Sequence, residues 1–365
     1  MVVFEEKDMF ASKIIWYIII LIVAIFLLYY LVYVRNLESR ECTYMEDMYS
    51  KLDGSIRSIN SGDEKCGYTF KDYYIKSAYN CCSGGSYKND FVSTCNLKSI
   101  LRQGVRGLDF EIYNIDDEPV VATSTNDEYF VKETYNSVKF ADVMNVIVNY
   151  AFSGSTAPNP EDPIIFHLRI KSSNQDMYTK FASILKSYET YLLGKEYSYE
   201  NRNTNLGDAK LLDLKGKIII IVDRSNTAFM ENEAFYEYVN MTSNSIFMRA
   251  LRYYDIKYAP DLQELQVYNK KNMTIALPDK GSNPPNPSGM VVKEAGCQLI
   301  AMRYQYVDEY LLENALFFDR NGYAFVLKPE RLRYVPETIP EPTAQKEELS
   351  YATREFSTNY YSFNI

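Results

Sequence analysis

The longest uninterrupted block of apolar residues lies near the amino terminus. Ile14–Val34 contains 21 residues without a charge and is bounded by Lys13 and Arg35. About 20 apolar residues in a helix span the hydrocarbon core of a bilayer, and the aromatic residues near both ends of the block suit the two membrane interfaces. The pattern therefore predicts one transmembrane helix.

A secretory signal peptide is the alternative interpretation of this block. The apolar part of a signal peptide usually has about 7–15 residues and ends at a small-residue cleavage site. The block here is longer and stays rich in tyrosine up to Arg35, which favours an uncleaved anchor. Lys7 and Lys13 on one side match Arg35 and Arg40 on the other, so the positive-inside rule leaves the orientation open.

After this block, short apolar runs alternate with helix-like periodicity. Strands are predicted at Val105–Tyr113, Pro163–Ile170, Lys217–Val222, Gly296–Tyr304 and Tyr323–Leu327. Helices are predicted at Phe140–Phe152 and Asp176–Tyr191, where apolar residues recur three and four positions apart. Alternating strands and helices favour a parallel sheet, and a span of ~270 residues is close to the ~250 of an eight-fold βα barrel. We therefore predict an α/β fold, a single distorted TIM-type barrel preceded by one transmembrane helix.

These patterns divide the chain into five parts. They are a short flank (1–13), the transmembrane helix (14–34), a polar stalk (35–65), the barrel (66–333, with halves at about 70–193 and 208–333) and a carboxyl-terminal extension (334–365).

Charge and cysteine content narrow the possible partners and compartments. The net charge of -9 argues against a protein that neutralises nucleic-acid phosphates. Six cysteines could form three disulfides in 15 different ways, which the sequence leaves open, and disulfides favour an oxidising or extracytoplasmic compartment. The sequons at Asn240 and Asn272 are compatible with that compartment. The cysteines are Cys42, Cys66, Cys81, Cys82, Cys95 and Cys297.

Two predicted strands carry opposite charges. Side chains alternate between the faces of a strand, so Asp109 and Glu111 share one face, and His167, Arg169 and Lys171 share a face of another strand. If both faces point into the barrel mouth, Arg169 is expected to pair with the carboxylates. Two unit charges at 4 Å attract by about 4 kcal/mol at an effective dielectric of 20, and desolvation offsets much of that gain. The strands thus predict an internal ion pair in place of a metal ion. The one histidine, His167, is predicted to be a structural hydrogen-bonding residue.

Several stretches resemble, in order, the motifs of the phosphatidylinositol-specific phospholipase C family. In the first half they are Ser77–Cys82 (SAYNCC), Gly104–Val121 (GVRGLDFEIYNIDDEPVV), Val121–Ser124 (VATS) and Leu168–Lys171 (LRIK). In the second half they are Leu214–Ile221 (LKGKIIII), Gly296–Asp308 (GCQLIAMRYQYVD) and Phe317–Pro329 (FFDRNGYAFVLKP). Together they cover roughly residues 70 to 333, and the resemblance implies the family's barrel.

The resemblance also implies that the catalytic chemistry has changed. Tyr79 and Thr123 stand where the family has its two catalytic histidines. Asn80, Asp109 and Glu111 match ligands of the family's calcium ion. These three are therefore interpreted as a vestigial calcium site.

Three cations match other family positions. Arg169 replaces a calcium-binding glutamate and Lys171 replaces a histidine, whereas Lys217 matches a substrate-binding lysine. Arg169 would place a positive charge among the calcium ligands. All three cations are candidates for binding a phosphate or an inositol headgroup.

The leading hypothesis is therefore a membrane-anchored, catalytically inactive pseudoenzyme used for binding or structural assembly. No cofactor is expected for an inactive protein. If the protein is active, it is expected to require calcium. The alternative is a divergent phosphoric diester hydrolase acting on phosphoinositides, and a third hypothesis is a receptor ectodomain with a soluble partner. High tyrosine, asparagine, isoleucine and lysine usage is typical of AT-rich genomes, including those of large DNA viruses, where this architecture would suit a capsid or inner-membrane structural protein.

Overall fold

The computed structural model describes residues 2–128, 130–198, 204–336, 343 and 351–365, with the backbone alone for residues 2–12. These residues form two compact units, Met1–Tyr334 and Val335–Ile365. The first unit contains a long amino-terminal helix and the barrel. The second contains a hairpin of two strands, and part of the predicted extension lies outside the described residues.

Helix α1 comprises Val2–Met48 and continues without a break through the predicted apolar span into the predicted stalk. Its apolar stretch is long enough to cross a membrane, and none of that stretch is buried in the protein. Burial begins just beyond the apolar block at Leu37, and Met45 packs into the core between the barrel sheet and the helices. The first part of the stalk is therefore a helix docked on the barrel.

The barrel contains eight parallel strands. They are β1 (Tyr73–Ala78), β2 (Gly107–Ile115), β5 (Ile164–Lys171), β6 (Ile218–Asp223), β7 (Met241–Ser243), β8 (Met248–Arg252), β9 (Met273–Leu277) and β10 (Leu299–Met302). Their order is β7-β6-β5-β2-β1-β10-β9-β8, and every neighbouring pair is parallel. Among the described strands β7 and β8 do not pair with each other, so the barrel is closed except for one seam.

Helices surround this sheet. They are α2 (Thr94–Arg102), α3 (Phe140–Val146), α4 (Gln175–Lys186), α5 (Glu233–Tyr236), α6 (Tyr253–Lys257), α7 (Leu262–Lys271), α8 (Gly289–Glu294) and α9 (Glu309–Asn321). The remaining strands are β3 (Glu118–Ala122), β4 (Val138–Lys139), β11 (Phe325–Leu327), β12 (Glu355–Ser357) and β13 (Ser362–Asn364). Together these elements confirm the predicted TIM-type architecture.

Alternation along the strands separates two hydrophobic cores. Phe110 and Phe166 point outward and pack edge to face under the helices, at 5.6 Å between ring centroids. Ile165 and Ile219 belong to the core inside the barrel. The strands are apolar on both faces because both faces are covered, which is typical of parallel sheets.

Some predicted elements differ in extent. The helix predicted at Phe140–Phe152 is α helical only to Val146 and continues as a π turn, and the one predicted at Asp176–Tyr191 ends at Lys186. The strand predicted at Tyr323–Leu327 exists as β11, which pairs antiparallel to β1 as an addition to the barrel.

Candidate functional site

The register of β2 and β5 brings the two charged strands together. Asp109 lies beside His167, and Glu111 lies beside Arg169. All four side chains are buried inside the barrel. The sequence prediction that the two charged faces meet is therefore confirmed.

Arg169 uses all five of its N–H groups within the protein. Its Nε donates to Asp109 Oδ1 at 3.0 Å, and its Nη2 donates to Asp109 Oδ2 at 2.8 Å and to Asn80 Oδ1 at 2.9 Å. Its Nη1 donates to Glu111 Oε1 at 2.7 Å and to Asp127 Oδ1 at 3.2 Å. A guanidinium has five such donors. All five donors of Arg169 are therefore engaged by protein oxygens, and its predicted substrate-binding role stays a prediction.

The other carboxylate oxygens of this cluster are also hydrogen-bonded. Glu111 Oε2 accepts from the Tyr113 hydroxyl at 2.8 Å and from the Ser124 backbone N–H at 2.9 Å. The Asn80 backbone N–H donates to Asp109 Oδ2 at 3.2 Å, and Asn80 itself adopts a left-handed backbone conformation with φ of 46°. A fully satisfied buried network of this kind fixes the positions of its members.

The pKa values follow from this pairing. Burial alone would raise the pKa of Asp109, but the Arg169 guanidinium and the His167 hydrogen bond hold it well below its ordinary range. Burial would likewise lower the pKa of Arg169, yet Asp109 and the neighbouring groups raise it well above normal. Asp109 and Arg169 are therefore a fixed ion pair throughout the physiological pH range.

A second layer of charge closes the mouth at the carboxyl ends of the strands. Asp127, in the loop after β3, accepts from Arg252 Nε at 3.1 Å and also bonds Arg252 Nη2. Lys280 lies 3.7 Å from Asp127 Oδ2, and Lys171 donates to the Asp127 backbone carbonyl. Burial would raise the pKa of Asp127, but Arg169 and Arg252 lower it to about 2.

Sequence reasoning missed both Asp127 and Arg252. Asp127 is one acidic residue in an irregular loop, and Arg252 ends a strand that was not predicted. The Arg252 side chain also donates to the Tyr79 hydroxyl at 3.1 Å. No periodicity or spacing in the sequence marks any of these contacts, because they join segments more than 100 residues apart.

Tyr79 and Thr123 do not form an acid and base pair in this geometry. The Tyr79 ring stacks under Arg169, 4.7 Å from the guanidinium carbon, and burial raises its pKa above 10.0. The Thr123 hydroxyl is buried and donates to the Tyr87 carbonyl at 3.0 Å. General acid–base catalysis needs groups that titrate near the working pH, and neither of these side chains does so.

His167 connects Asp109 to Ser243. His167 Nδ1 lies 2.7 Å from Asp109 Oδ1, and His167 Nε2 lies 3.0 Å from Ser243 Oγ. The order Asp, His, Ser is that of a hydrolase triad, but all three residues are buried, with His167 and Ser243 at 0% exposure. Both ring nitrogens of His167 are hydrogen-bonded inside the barrel, as expected for the structural role predicted for it.

The predicted substrate-binding lysines lie at opposite ends of the barrel. Lys171 is at the carboxyl end of β5 and lines a cavity of about 450 Å³ at the mouth, together with Lys280, Ser225 and Asn226. Lys217 precedes β6 at its amino end and donates to the Thr190 carbonyl at 2.9 Å. Ile164 pairs with Ile218 in the register of β5 and β6, so eight residues of strand at ~3.3 Å each separate the two levels. Lys217 therefore lies at the other end of the barrel from the mouth cavity, and its substrate-binding role stays a prediction from the motif.

The residues at the vestigial calcium site do not fit the ion. Calcium takes six to eight oxygen ligands, whereas Asn80 Oδ1, both carboxylate oxygens of Asp109 and Glu111 Oε1 accept hydrogen bonds from the Arg169 guanidinium. Within the described part of the chain, no group of three or more His, Cys, Asp or Glu residues is arranged to hold a metal ion. A cation at the centre of the site repels a second one.

The cysteines pair only once among the described residues. Cys42 of α1 and Cys95 of α2 form a disulfide, with Cα atoms 5.7 Å apart. Cys66, Cys81, Cys82 and Cys297 are buried free thiols. The sequence left the pairing open, and the structure contains one of the possible bridges and four unpaired thiols among the described residues.

The barrel is similar to known proteins. Residues 67–224 match the family model of the phosphatidylinositol-specific phospholipase C X domain. This range begins near the predicted start of the barrel and runs through β6, past the predicted boundary between the halves. No curated protein matches the chain.

Solved structures show the same fold. The crystal structure of PLC21 from L. pealei matches 74% of this chain with a TM-score of 0.59 and 21% sequence identity. That of PLC21 from S. officinalis matches 75% of this chain with a TM-score of 0.59 and 20% sequence identity. A calcium-dependent phosphoinositol-specific phospholipase C from Pseudomonas sp. matches 73% of this chain with a TM-score of 0.46 and 12% sequence identity. The matches cover 38% and 39% of the two PLC21 chains and 97% of the Pseudomonas chain, so this chain spans about two fifths of the PLC21 relatives.

Proposed function

We propose that this chain, which carries a phosphatidylinositol-specific phospholipase C X domain over residues 67–224, is a membrane-anchored member without catalytic activity that serves in binding or assembly. One observation carries the proposal. The Arg169 guanidinium is hydrogen-bonded to Asn80, Asp109 and Glu111, the three residues interpreted as former calcium ligands.

The burial of the side chains at the two positions that match the family's histidines supports the same conclusion. Tyr79 and Thr123 occupy the positions where the family resemblance places the catalytic histidines, and both are buried. The one histidine of the sequence is held between Asp109 and Ser243 inside the barrel. The reaction needs a base for the attacking hydroxyl and an acid for the leaving oxygen, and none of these three side chains is placed to serve as either.

Membrane anchoring is supported by the exposure of α1. The side chains from Ile14 to Tyr33 are exposed in the folded chain, although they are apolar or aromatic. A contiguous apolar surface of this size marks a membrane or protein interface, and its length matches a bilayer. Docking of the segment beyond it, through Met45 and the Cys42–Cys95 disulfide, joins the anchor firmly to the barrel.

Phosphate binding at the mouth does not require catalysis. Lys171 and Lys280 line the mouth cavity beside Ser225 and Asn226. Ammonium and hydroxyl groups are donors suited to a phosphate headgroup. We include such binding in the proposed role of the barrel.

Hydrolysis of phosphatidylinositol in mixed detergent micelles tests the proposal. The full chain is expected to release no inositol phosphate with calcium or with a chelator. A Tyr79→His, Thr123→His, Arg169→Glu triple variant is expected to gain calcium-dependent turnover. Chelator-sensitive turnover by the parent chain would overturn the proposal and favour a divergent phosphoric diester hydrolase.

Calcium binding provides a readout that is independent of activity. Arg169→Glu replaces the internal cation by a carboxylate, and Arg169→Gln is the matched control that removes the cation without adding a ligand. Calcium is expected to raise the melting temperature of the Glu variant and to leave the parent and the Gln variant unchanged. Stabilisation of the parent by calcium would contradict the assignment.

A further inference from the structure

The Cys42–Cys95 disulfide joins the amino-terminal helix α1 to the barrel. Cys42 lies on α1 and Cys95 lies in the first turn of α2, and 53 positions separate them in the sequence. Val34, the end of the apolar block, precedes Cys42 by eight residues, or ~12 Å of helix at a rise of 1.5 Å per residue. The bond therefore fixes α1 on the barrel close to the point where the apolar block ends.

Ahead of Cys42, α1 packs sparsely on the barrel. The side chains of residues 14–33 are exposed, and Leu37 is the first buried one among the side chains that the structure describes along α1. Beyond Cys42 the packing is close, because Met45 is fully buried and the Tyr49 hydroxyl donates to a barrel carbonyl at 2.8 Å. Without the disulfide, α1 would be held at Met45 and Tyr49 and could pivot ahead of them.

The turn of α1 that contains Glu41 fits against the loop after β1. The Glu41 side chain occupies the space over Gly84 and Gly85, where an added Cβ on Gly84 would lie 2.9 Å from Glu41 Cβ. Glu41 is hydrogen-bonded there to Asp90, and two carboxyl groups attract only while one of them keeps its proton. The disulfide at the adjacent Cys42 is the attachment at this turn that needs no shared proton.

The two bonded cysteines are accessible to an external thiol. Both are half-buried, and Cys95 is the second residue of α2, which has Ser93 as its amino-terminal cap. The positive end of a helix dipole stabilises a thiolate, and a thiolate stabilised in this way leaves faster in thiol–disulfide exchange. An incoming thiolate is therefore expected to attack Cys42 Sγ and to expel the Cys95 sulfur.

The free cysteines are shielded from the same chemistry. All four are buried, and burial raises the pKa of each thiol, to about 12 for Cys82 and for Cys297. The other two are Cys66 and Cys81. Because the thiolate is the nucleophile, a thiol that keeps its proton does not attack a disulfide. Among the described cysteines, the bonded pair is therefore the one that responds to redox conditions.

We propose that the Cys42–Cys95 disulfide is a redox-controlled latch that sets whether α1 is held against the barrel. A dithiol reductant opens the latch in two steps. Its first thiolate bonds to Cys42 Sγ, the Cys42–Cys95 bond breaks, and Cys95 leaves as a thiolate that takes up a proton. Its second thiolate then bonds to the first sulfur of the reductant, and Cys42 leaves in the same way. The reductant ends as a disulfide, the protein gains two electrons and two protons, and α1 pivots ahead of Met45.

Pulsed electron paramagnetic resonance on the full chain in detergent micelles measures this pivot. Nitroxides are attached through thioether bonds, which dithiothreitol leaves intact, at Ser39→Cys on α1 and Val267→Cys on α7. Both native residues are exposed, whereas the four free thiols are buried and are not labelled. The oxidised protein is expected to give one narrow distribution of the label-to-label distance, and dithiothreitol is expected to broaden it. In the unlabelled parent, dithiothreitol should make two cysteines available to alkylation under native conditions.

A Cys42→Ser, Cys95→Ser double variant with the same labels is the matched control, and it is expected to give the broad distribution with and without dithiothreitol. A distribution that stays narrow after the bond is reduced would overturn the proposal. Reduction that occurs only in denaturant would also overturn it. Near-ultraviolet circular dichroism follows the barrel in every sample, and loss of that signal on reduction would show that the bond holds the fold together and is no latch.

Discussion

Arg169 and Asp109 form a two-point ion pair inside the barrel, with Nε–Oδ1 and Nη2–Oδ2 distances of 3.0 and 2.8 Å. The guanidinium is a planar fork that matches the carboxylate. Both side chains are buried, so water does not screen the pair. This relationship defines the mouth as a charge-neutralised structural centre.

Removal of Arg169 is expected to be strongly destabilising. Arg169→Met leaves Asp109 and Glu111 buried without a counter-charge, and breaking a buried pair in this way costs about 3–5 kcal/mol. Arg249→Met is the matched control, because Arg249 also makes a two-point pair, with Glu264, on the exposed surface. Exposed pairs contribute about 0–1 kcal/mol. Chemical denaturation of the full chain in detergent measures the unfolding free energies of the parent and of both variants. Equal losses of unfolding free energy in the two variants would contradict the structural role of Arg169.

Neutralising Asp127 is expected to create an anion site at the mouth. Asp127→Asn frees Arg252 and Lys280 from their carboxylate partner. Inorganic pyrophosphate should then raise the melting temperature of the variant, because a ligand at 100 times its Kd adds about 2.7 kcal/mol of stability. Asp223→Asn is the control, since Asp223 lines the same cavity and accepts from Ser225 N–H. An equal shift in the parent and both variants would show that pyrophosphate binds elsewhere.

Docking of α1 is expected to weaken as the pH rises. Burial, followed by the hydrogen bond with Asp90, raises the pKa of Glu41 from its ordinary value of 4.5 to about 9. Arg40 opposes this rise and Glu38 adds to it. The folded state keeps a proton that the unfolded state loses above pH 4.5, so the unfolding free energy falls between pH 4.5 and about 9.

Thermal unfolding at several pH values checks this sign. Glu41→Gln keeps the shape of the side chain and removes the titration, so its stability should decline less between pH 5 and pH 9 than that of the parent. Parallel pH profiles of parent and variant would exclude Glu41 as the group responsible.

Thiol counting tests the disulfide assignment. After denaturation without reductant, alkylation should modify four cysteines, and reduction should expose all six. Peptide mass spectrometry should find Cys42 joined to Cys95. Modification of no cysteine before reduction would restore the three-bridge arrangement.

The sequence predicted those parts of the fold that depend on regular patterns. The alternation in Val105–Tyr113 and Pro163–Ile170 is strong because β2 and β5 are long and central. By contrast, β7 has three residues, Met241–Ser243, too few for a period to appear. The register of β2 and β5 places Glu111 beside Arg169. From the sequence, this contact could be predicted only on the condition that both charged faces point into the barrel.

The site was predicted only where its residues lie on such strands. Asp109, Glu111 and Arg169 are on β2 and β5, and alternation was enough to orient them. Asp127 is held by tertiary contacts with Arg252, which leave no local signature. Lys217 was assigned by motif alone, and its position at the amino end of β6 shows that motif similarity does not fix the level along a strand.

The positive charge of a side chain is always present in the site, whereas that of a bound metal ion is present only when the ion is bound. Calcium fills a site in proportion to its free concentration and leaves when that concentration falls. The Arg169 guanidinium is present in every folded molecule, and its five hydrogen bonds form as the strands pair. We therefore expect the mouth of this barrel to stay in one state whatever the free calcium concentration.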